Sequence, residues 1–499
     1  MKKTFILSFL IFIICFCNQT LAANWYVDKT ATGLNNGTSL TNAWTSFASV
    51  RWGSGGVVAG DTLYISGGST SKTYTEKWAV GASGTSSNRI YIRVGQDSGH
   101  NGEVIFDYNA GGNSGTGTGI SLDGRSYVTI DGSVGTDRKL TIKNLRNTSN
   151  RSEAQAIGAD SSSYITVQYV NIDNCNNGFM GTYGQGWNFN NNYLTNIRGD
   201  NAVAYYSTVQ SWDTNLIHHN YIGLGWNPSG GKGGPDGVSI FHGTSVYNNT
   251  FRIDQVSYTT SDQHPDFIQN TGNYVKVYNN DFINIGDSGF DQDAGYDNTA
   301  PHDIWIYNNT FRILGQLDDT PEYIRFYNCS NTTINNVKVF NNAFIDNPFL
   351  NVYWNCSNST GSGNELKNNI WYNSGTAWSI GNTGLGFTYD YNIYYSTDGV
   401  EYLGTSYSAS TWIASHEPHS KTTQPIFVSY TPNAVGNNLH LSNSDTVAKE
   451  AGVNKSSYFT TDKDGVTRPQ GSAWDIGAYE YQSSVDQAPQ APKNLRILQ

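Results

Sequence analysis

Four segments of this 499-residue chain place an acidic residue at the head of a short apolar-alternating run: PDGVSIF (235–241), PDFIQNT (265–271), QDAGYDN (292–298) and PEYIRFY (321–327). A fifth, PFLNVYW (348–354), has Phe349 at that place, and DNAVAYY (200–206) offers Asn201 one unit earlier. From Asp236 the steps to Asp266, Asp293, Glu322 and Phe349 are 30, 27, 29 and 27 residues, so the alignment predicts a column of four carboxylates. Two unit charges about 5 Å apart repel by roughly 3 kcal/mol at an effective dielectric of about 20. Such a column requires a cation, raised pKa values, or side chains splayed into solvent. Oxygen-only sites suit Ca²⁺, which takes about six to eight oxygen ligands, and Asp236, Asp266, Asp291, Asp293 and Glu322 are the expected ligands. Asp262, Asp287, Asp297, Asp318 and Asp319 add to the local acidity. Taken singly, an Asp after Pro caps a turn; the recurrence is what points to a site.

Strand alternation in the same alignment turns Ser239, Phe241, Gln269, Tyr323, Arg325, Tyr327, Val352 and Trp354 outward. It sends Val238, Ile240, Ile268, Ile324 and Phe326 to the core. Outward aromatic faces with Gln and Arg suit a sugar chain, so Gln269, Tyr323, Tyr327 and Trp354, with His242 beside them, are expected to bind substrate. His264, directly before Pro265, is a candidate acid–base group. Paired carboxylates also offer hydrolysis, at about 5 Å apart for a retaining enzyme and roughly 6.5–9.5 Å for an inverting one.

The elements that must position these residues form a repeat. A phrase recurs as FNNNYL, YNNTFRI, YNNDFINI, YNNTFRI, FNNAFID and KNNIWYN, with IHHNYIG as a degenerate copy. Its second polar residue falls at 191, 219, 249, 280, 309, 342 and 369, a period of roughly 30 residues. Before each phrase runs a strand, as in VKVYNN, IWIYNN and VKVFNN, with Val275, Val277, Ile304, Ile306, Val337 and Val339 on one face. Period-2 runs in a repeat of this length predict stacked coils sharing one core, about 4.8 Å apart. The paired Asn residues then form amide ladders at a turn, with Phe251, Phe282, Phe311 and Phe344 stacked behind them.

Composition agrees: charge is low (14%), Gly (53) and Tyr (33) are abundant, and Pro is scarce (12). A net charge of −11 argues against a nucleic-acid partner. Residues 1–23, MKKTFILSFLIFIICFCNQTLAA, read as a secretory signal: two lysines, an apolar run, small residues at Ala22 and Ala23. That run is shorter than the roughly 20 residues of a membrane span, so no span is expected in the mature chain. Cys15 and Cys17 lie inside the signal without the small residue that lipid attachment wants. Cys175, Cys329 and Cys356 remain and no CxxC occurs, so three buried thiols are expected rather than a disulfide framework.

Coil length, Asn ladder and stacked aromatics together resemble the right-handed parallel β-helix of the pectate-lyase-like superfamily. The opening NWYVDKTATGLNNGTSLTNAWTSF with GDTLYISGG is similar to that group's N-terminal cap, and DKDGVTRPQGSAWDIGAYEY (463–481) to its last coil. The expected architecture is an all-β, single-stranded solenoid of roughly ten irregular coils over 24–481, with a linker-like tail at 482–499. The resemblance implies a secreted, monomeric protein acting on an extracellular polysaccharide. Its lyases use Ca²⁺ to neutralise a uronate carboxylate while Arg or Lys removes the C5 proton, so Arg325 is the first candidate base, Lys232 the second, and His264 a base or acid. The superfamily's polygalacturonase motifs are absent, and FHG at 241–243 precedes the acids it should follow, which ranks hydrolysis below elimination. The reading of another class is a non-catalytic adhesin or binding spike.

Overall fold

The computed structural model describes residues 22–109, 115–147, 154–225, 235–253, 265–293, 300–315 and 320–483. Each coil turns on the two-residue phrase, and its two residues do different work. The first, at Asn191, His219, Asn248, Asn279, Asn308, Asn341 and Asn368, lies in the left-handed region with φ from 51° to 60°. Asn tolerates that region better than most residues because its short polar side chain bonds locally. The second, at Asn192, Asn220, Asn249, Asn280, Asn309, Asn342 and Asn369, is buried. Its backbone N–H and its Nδ2 both donate to Oδ1 of the next Asn in the row. Nδ2 also reaches a strand carbonyl of the preceding coil, for example Ile217 O from Asn249 at 2.9 Å. The ladder therefore starts at 192 and 220, one residue later than the 191 and 219 read from the sequence. Where three candidates stand in a row, φ decides which one turns the chain.

The ladder extends to Asn392 and ends on buried Glu417 and Ser420, which accept from Asn392 Nδ2 (3.0 Å) and N–H (2.8 Å). Behind it, Phe251, Phe282, Phe311 and Phe344 stack with centroids 4.5 to 5.1 Å apart. The stack continues through Trp371 and Tyr394.

Between the turns every coil lays down strands paired in parallel with the coils on either side. One face is a 14-stranded sheet; the other two join in a 23-stranded sheet. The molecule is a right-handed parallel β-helix, with one α-helix among the described residues, Ala409–His416. The face that matters here contains Asn201–Tyr206, Asp236–Ile240, Ile268–Asn270, Ser288–Asp293, Glu322–Tyr327 and Val352–Trp354. Its inward side chains Val238, Ile268, Phe290, Ile324 and Val352 join one continuous core. Among the described residues no helix is long and apolar enough to cross a membrane.

Two expectations change. Cys329 and Cys356 form a disulfide with Cα atoms 4.7 Å apart and a sequence separation of 27, one coil step; only Cys175 stays a free, buried thiol among the described residues. The sequence argument counted three thiols without asking which pair stacking would bring together. The closing segment 463–481 is not a further coil. It carries no regular strand and lies along the outside of earlier coils, with Lys463 on Asp281 (3.0 Å), buried Arg468 on Glu480 (2.9 Å), and Phe459 stacked on Tyr307. Lys463 on Asp281, and Asn341 Nδ2 donating to Asp475 O (2.9 Å) and Gly477 O (3.2 Å), hold it against the coils.

Candidate active site around Arg325

Register across this face fixes which side chains share a row. One outward row reads Ala204, Ser239, Gln269, Asp291, Arg325, Tyr353 and Ser379. The row at the strand starts reads Asn201, Asp236, then Asp266 bridged to Ser288, then Glu322. Asp266 Oδ1 lies 3.6 Å from Arg325, and the Asp266 N–H donates to Asp236 Oδ1 at 3.1 Å.

Arg325 stands amid carboxylates. Its Nε donates to Asp291 Oδ1 at 2.8 Å and its Nη2 lies 2.8 Å from Asp287 Oδ2. Nη1 reaches Glu322 only at 3.5 Å. The guanidinium packs under the ring of Tyr327, with Cζ 5.6 Å from the centroid. Tyr327 is 43% exposed and Tyr353 half-buried. Ser239 Oγ donates to Gln269 Oε1 at 3.1 Å two coils along.

Five carboxylates and one guanidinium cannot all carry full charge at low cost. Burial, followed by the charges of Asp291, Asp287 and Asp236, holds the Asp266 carboxyl well above the usual carboxylate range. Burial does the same to Asp236, with Asp291, Asp200 and Asp287 adding to it. Asp291 is raised as well: its burial outweighs the nearby Arg325. Burial alone would depress Arg325, but Asp291, Asp266 and Asp287 more than reverse this, so it stays protonated at any working pH. Protonated acids next to an ionised set are the separation of roles that acid–base chemistry uses.

Several sequence expectations move. Asp293 is not in the column. It pairs in register with Tyr327, at the far end of the strand, and accepts from Asn328 Nδ2 at 3.0 Å. The step from Asp266 to its partner Ser288 is 22 residues, not 27, and Asp287-Ser288 takes the register positions of Pro265-Asp266. A Cβ at Gly286 would stand 2.4 Å from Pro265 Cγ, so only glycine fits this corner. Asp287, read from the sequence only as added local acidity, thereby becomes a direct partner of Arg325; placing Phe290 in the core row with Ile268 and Ile324 would have found it.

Tyr323 is fully buried, in the aromatic stack between Phe311 and Phe344, with its hydroxyl donating to Ile345 O. At this corner both Tyr323 and Ile324 point inward, because their two N–H groups share the Asn351 carbonyl. Trp354 and Val352 are also core residues. Val352 pairs with Ile324, one residue away from the assumed register, and a slip of one exchanges the two faces. Tyr353 is the outward aromatic instead. His242 is buried, its Nδ1 accepting from the Asn273 N–H at 2.9 Å, so it braces a turn. Gln269, Tyr327 and Arg325 do face outward together. His264 and Lys232 lie outside the described residues, as do Asp262, Asp297, Asp318 and Asp319. Among the described residues no three His, Cys, Asp or Glu side chains converge as a ready metal site.

No family model matches the chain, and no curated protein matches it. Solved structures do. The alginate lyase from Paenibacillus sp. str. FPU-7 aligns with 61% of this chain and 92% of its own, at 17% identity and a TM-score of 0.38. The pectate lyase Pel9A aligns over 93% of this chain and 97% of its own, at 17% identity and 0.41. The GH136 lacto-N-biosidase from Eubacterium ramulus aligns over 81% and 67%, at 11% identity and 0.47. These likenesses concern the coil alone, the fold that the repeat and the parallel ladders already define.

Proposed function

We propose that the protein cleaves an extracellular polysaccharide by β-elimination beside a uronate unit, on the outward row around Arg325. The observation that carries this reading is a permanently charged guanidinium on an open strand face, flanked by Tyr327, Tyr353 and Gln269. Elimination needs the uronate carboxylate neutralised so that its C5 proton becomes acidic. Arg325 is suited to that electrophilic role and not to that of a base, since its pKa is raised. Its Nη1, held to Glu322 at only 3.5 Å, is the donor most readily handed to a ligand oxygen. Beside it the exposed Tyr327 oxygen, once its own proton has passed to solvent, takes the C5 proton as the C4–O glycosidic bond breaks, the C4–C5 double bond forms and the leaving oxygen is protonated from water. Gln269 orients ring hydroxyls further along the row, and the signal-like first 23 residues place the reaction outside the cell.

The Ca²⁺ expected from the acidic column would draw on Asp236, Asp266, Asp291 and Glu322. As Arg325 lies, its nitrogens already engage oxygens of three of these carboxylates. The donor set therefore does not fit the ion without moving Arg325, and no step here uses it.

The test is ultraviolet absorbance of the unsaturated uronate released from pectate, alginate and glycosaminoglycans. A rise with the wild type that Arg325→Gln abolishes and a chelator leaves unchanged is expected. A chelator-sensitive rise would restore the metal. New reducing ends without the absorbance would favour a second reading, hydrolysis, for which the raised pKa values of Asp236, Asp266 and Asp291 beside the ion-paired Asp287 speak. Neither signal on any polymer would leave the binding-surface reading.

A further inference from the structure

A cavity of about 480 Å³ opens one residue before Glu322, at the corner where successive coils enter the site face. Pro321, Pro348 and Phe349 form an apolar wall, and Phe349 is 36% exposed there, unusual for an aromatic side chain at a coil corner. Asp346, Ser374 and Asp398 line it too. Asp346 is fixed by Asn373 Nδ2 (2.8 Å), the Asn433 N–H (3.0 Å) and the Tyr430 hydroxyl. Ser374 is 7% exposed, and its Oγ has no hydrogen-bond partner among the described residues. A buried hydroxyl without a partner costs about 1–3 kcal/mol, a cost that a ligand hydroxyl in the cavity would remove. Asp398 is exposed at the rim.

Among the described residues, the charged ones lining this space are both carboxylates, and no Lys, Arg or His lines it. A uronate or sulfated unit would be repelled. An apolar wall together with acceptors and one idle hydroxyl is instead the surface a pyranose presents in reverse, C–H patch to proline and phenyl, hydroxyls to carboxylate. The volume lies in the range of small-molecule sites.

We propose that this cavity is a subsite for an uncharged sugar unit, so that the substrate is a heteropolysaccharide in which uncharged residues accompany the uronate, not a homopolyuronate. The subsite rests on the polysaccharide reading above and deepens it.

The test titrates cello-, manno-, xylo- and galacto-oligosaccharides, then oligogalacturonate and oligomannuronate, into the full-length secreted protein by calorimetry. The variants are Phe349→Ala, Asp398→Lys and Arg325→Gln. Both cavity variants sit at surface positions, and equal circular dichroism and unfolding midpoints establish that they fold. At least one neutral oligosaccharide is expected to bind, at least tenfold more weakly to Phe349→Ala and Asp398→Lys, and with unchanged affinity to Arg325→Gln. The proposal is overturned if no neutral oligosaccharide binds, if neither cavity variant weakens binding, or if oligouronates bind in a Phe349-dependent way. The elimination assay is read separately: its failure with neutral-sugar binding intact removes the uronate chemistry and leaves the subsite, and the reverse result removes the subsite alone.

Discussion

Replacing the two asparagines of one phrase separately should give very different penalties. Asn249 is 2% exposed. Its side chain donates to Ile217 O (2.9 Å) and Asn280 Oδ1 (3.0 Å), and accepts from Asn220 N–H and Nδ2 (both 3.0 Å). Asn249→Ala removes all four bonds and leaves the Asn220 N–H buried with no acceptor in reach. One orphaned buried donor costs about 1–3 kcal/mol and each further lost bond about 0.5–1.5 kcal/mol, so a loss of about 3 kcal/mol is expected. Asn248, its neighbour, is half-buried with φ 54°. Glycine adopts that φ without steric cost, so Asn248→Gly should cost less than about 1 kcal/mol. Asn248→Val forces a β-branched residue into the left-handed region and should cost about 2 kcal/mol through strain. Urea unfolding followed by both far-ultraviolet circular dichroism and tryptophan fluorescence measures all three, and coincident transitions justify two-state treatment. Equal shifts for Asn248→Gly and Asn249→Ala, or a loss below about 1 kcal/mol for the latter, would refute the division of labour within the phrase.

Closing the 27-residue loop between Cys329 and Cys356 restricts the unfolded chain by about 3.5 kcal/mol in the chain-entropy description. The Cys329→Ser/Cys356→Ser double variant should lose about that much in urea, and wild type in reductant should match it. Glu365 is half-buried, which would raise its pKa, but hydrogen bonds and charge from Lys338 and Lys455 bring it down from 4.5 to about 2. Its stabilisation, about 3 kcal/mol, is complete above pH 4.5 and disappears as pH falls toward 2. Glu365→Gln should therefore be destabilised at pH 7 and match wild type near pH 2 in unfolding midpoint. Asp236 has the opposite sign: its folded pKa is raised, so its charge destabilises the native state at neutral pH and this cost falls away on acidification. Asp236→Asn keeps an oxygen for the Asp266 N–H and should be more stable than wild type at pH 7, by a margin that shrinks as pH drops. Arg325→Lys keeps the charge but loses the planar fork shared among Asp287, Asp291 and Glu322. Turnover should fall by about a hundredfold or more, with unsaturated-uronate absorbance as the readout.

The repeat was legible because it is set locally. An Asn with left-handed φ, a buried Asn and an apolar strand recur together wherever a coil turns, and the Phe251-to-Phe344 stack follows from the same phrase. The site was less legible because it depends on register between coils. Spacing along the Asn ladder varies from 23 to 33 residues, and the site face varies further, from 22 residues between Asn270 and Gln292 to 35 between Ala204 and Ser239. An assumed step near the mean put Asp293 in the wrong row and turned Trp354 outward. Arg325, Gln269 and Tyr327 were read correctly as outward-facing because the stretches that hold them, Ile268–Asn270 and 324–327, alternate cleanly, whatever the neighbouring coils do. The disulfide escaped for the same reason as Asp293: it is a relation between coils, visible only when Cys329 and Cys356 are counted as one step apart.

A rigid ladder also explains how the charge arrangement can persist. Left free, Asp236, Asp266, Asp287, Asp291 and Glu322 would separate toward solvent. Here the carboxylates are borne by strands whose spacing is fixed by backbone pairing and by the Asn and Phe ladders on the opposite side of the core. The repulsion therefore goes into raised pKa values and into one immobilised guanidinium, not into displacement of the strands. Loosening the scaffold should release it: in Asn249→Ala, whose ladder contact joins the coils carrying Asp236 and Asp266, these carboxyls should titrate closer to ordinary Asp. Carbon-13-detected titration of labelled Asp carboxyls would show a fall in the highest pKa values. If the variant unfolds more easily yet retains the same raised values, the cluster is held by its own burial and Arg325, and the ladder has no part in tuning it.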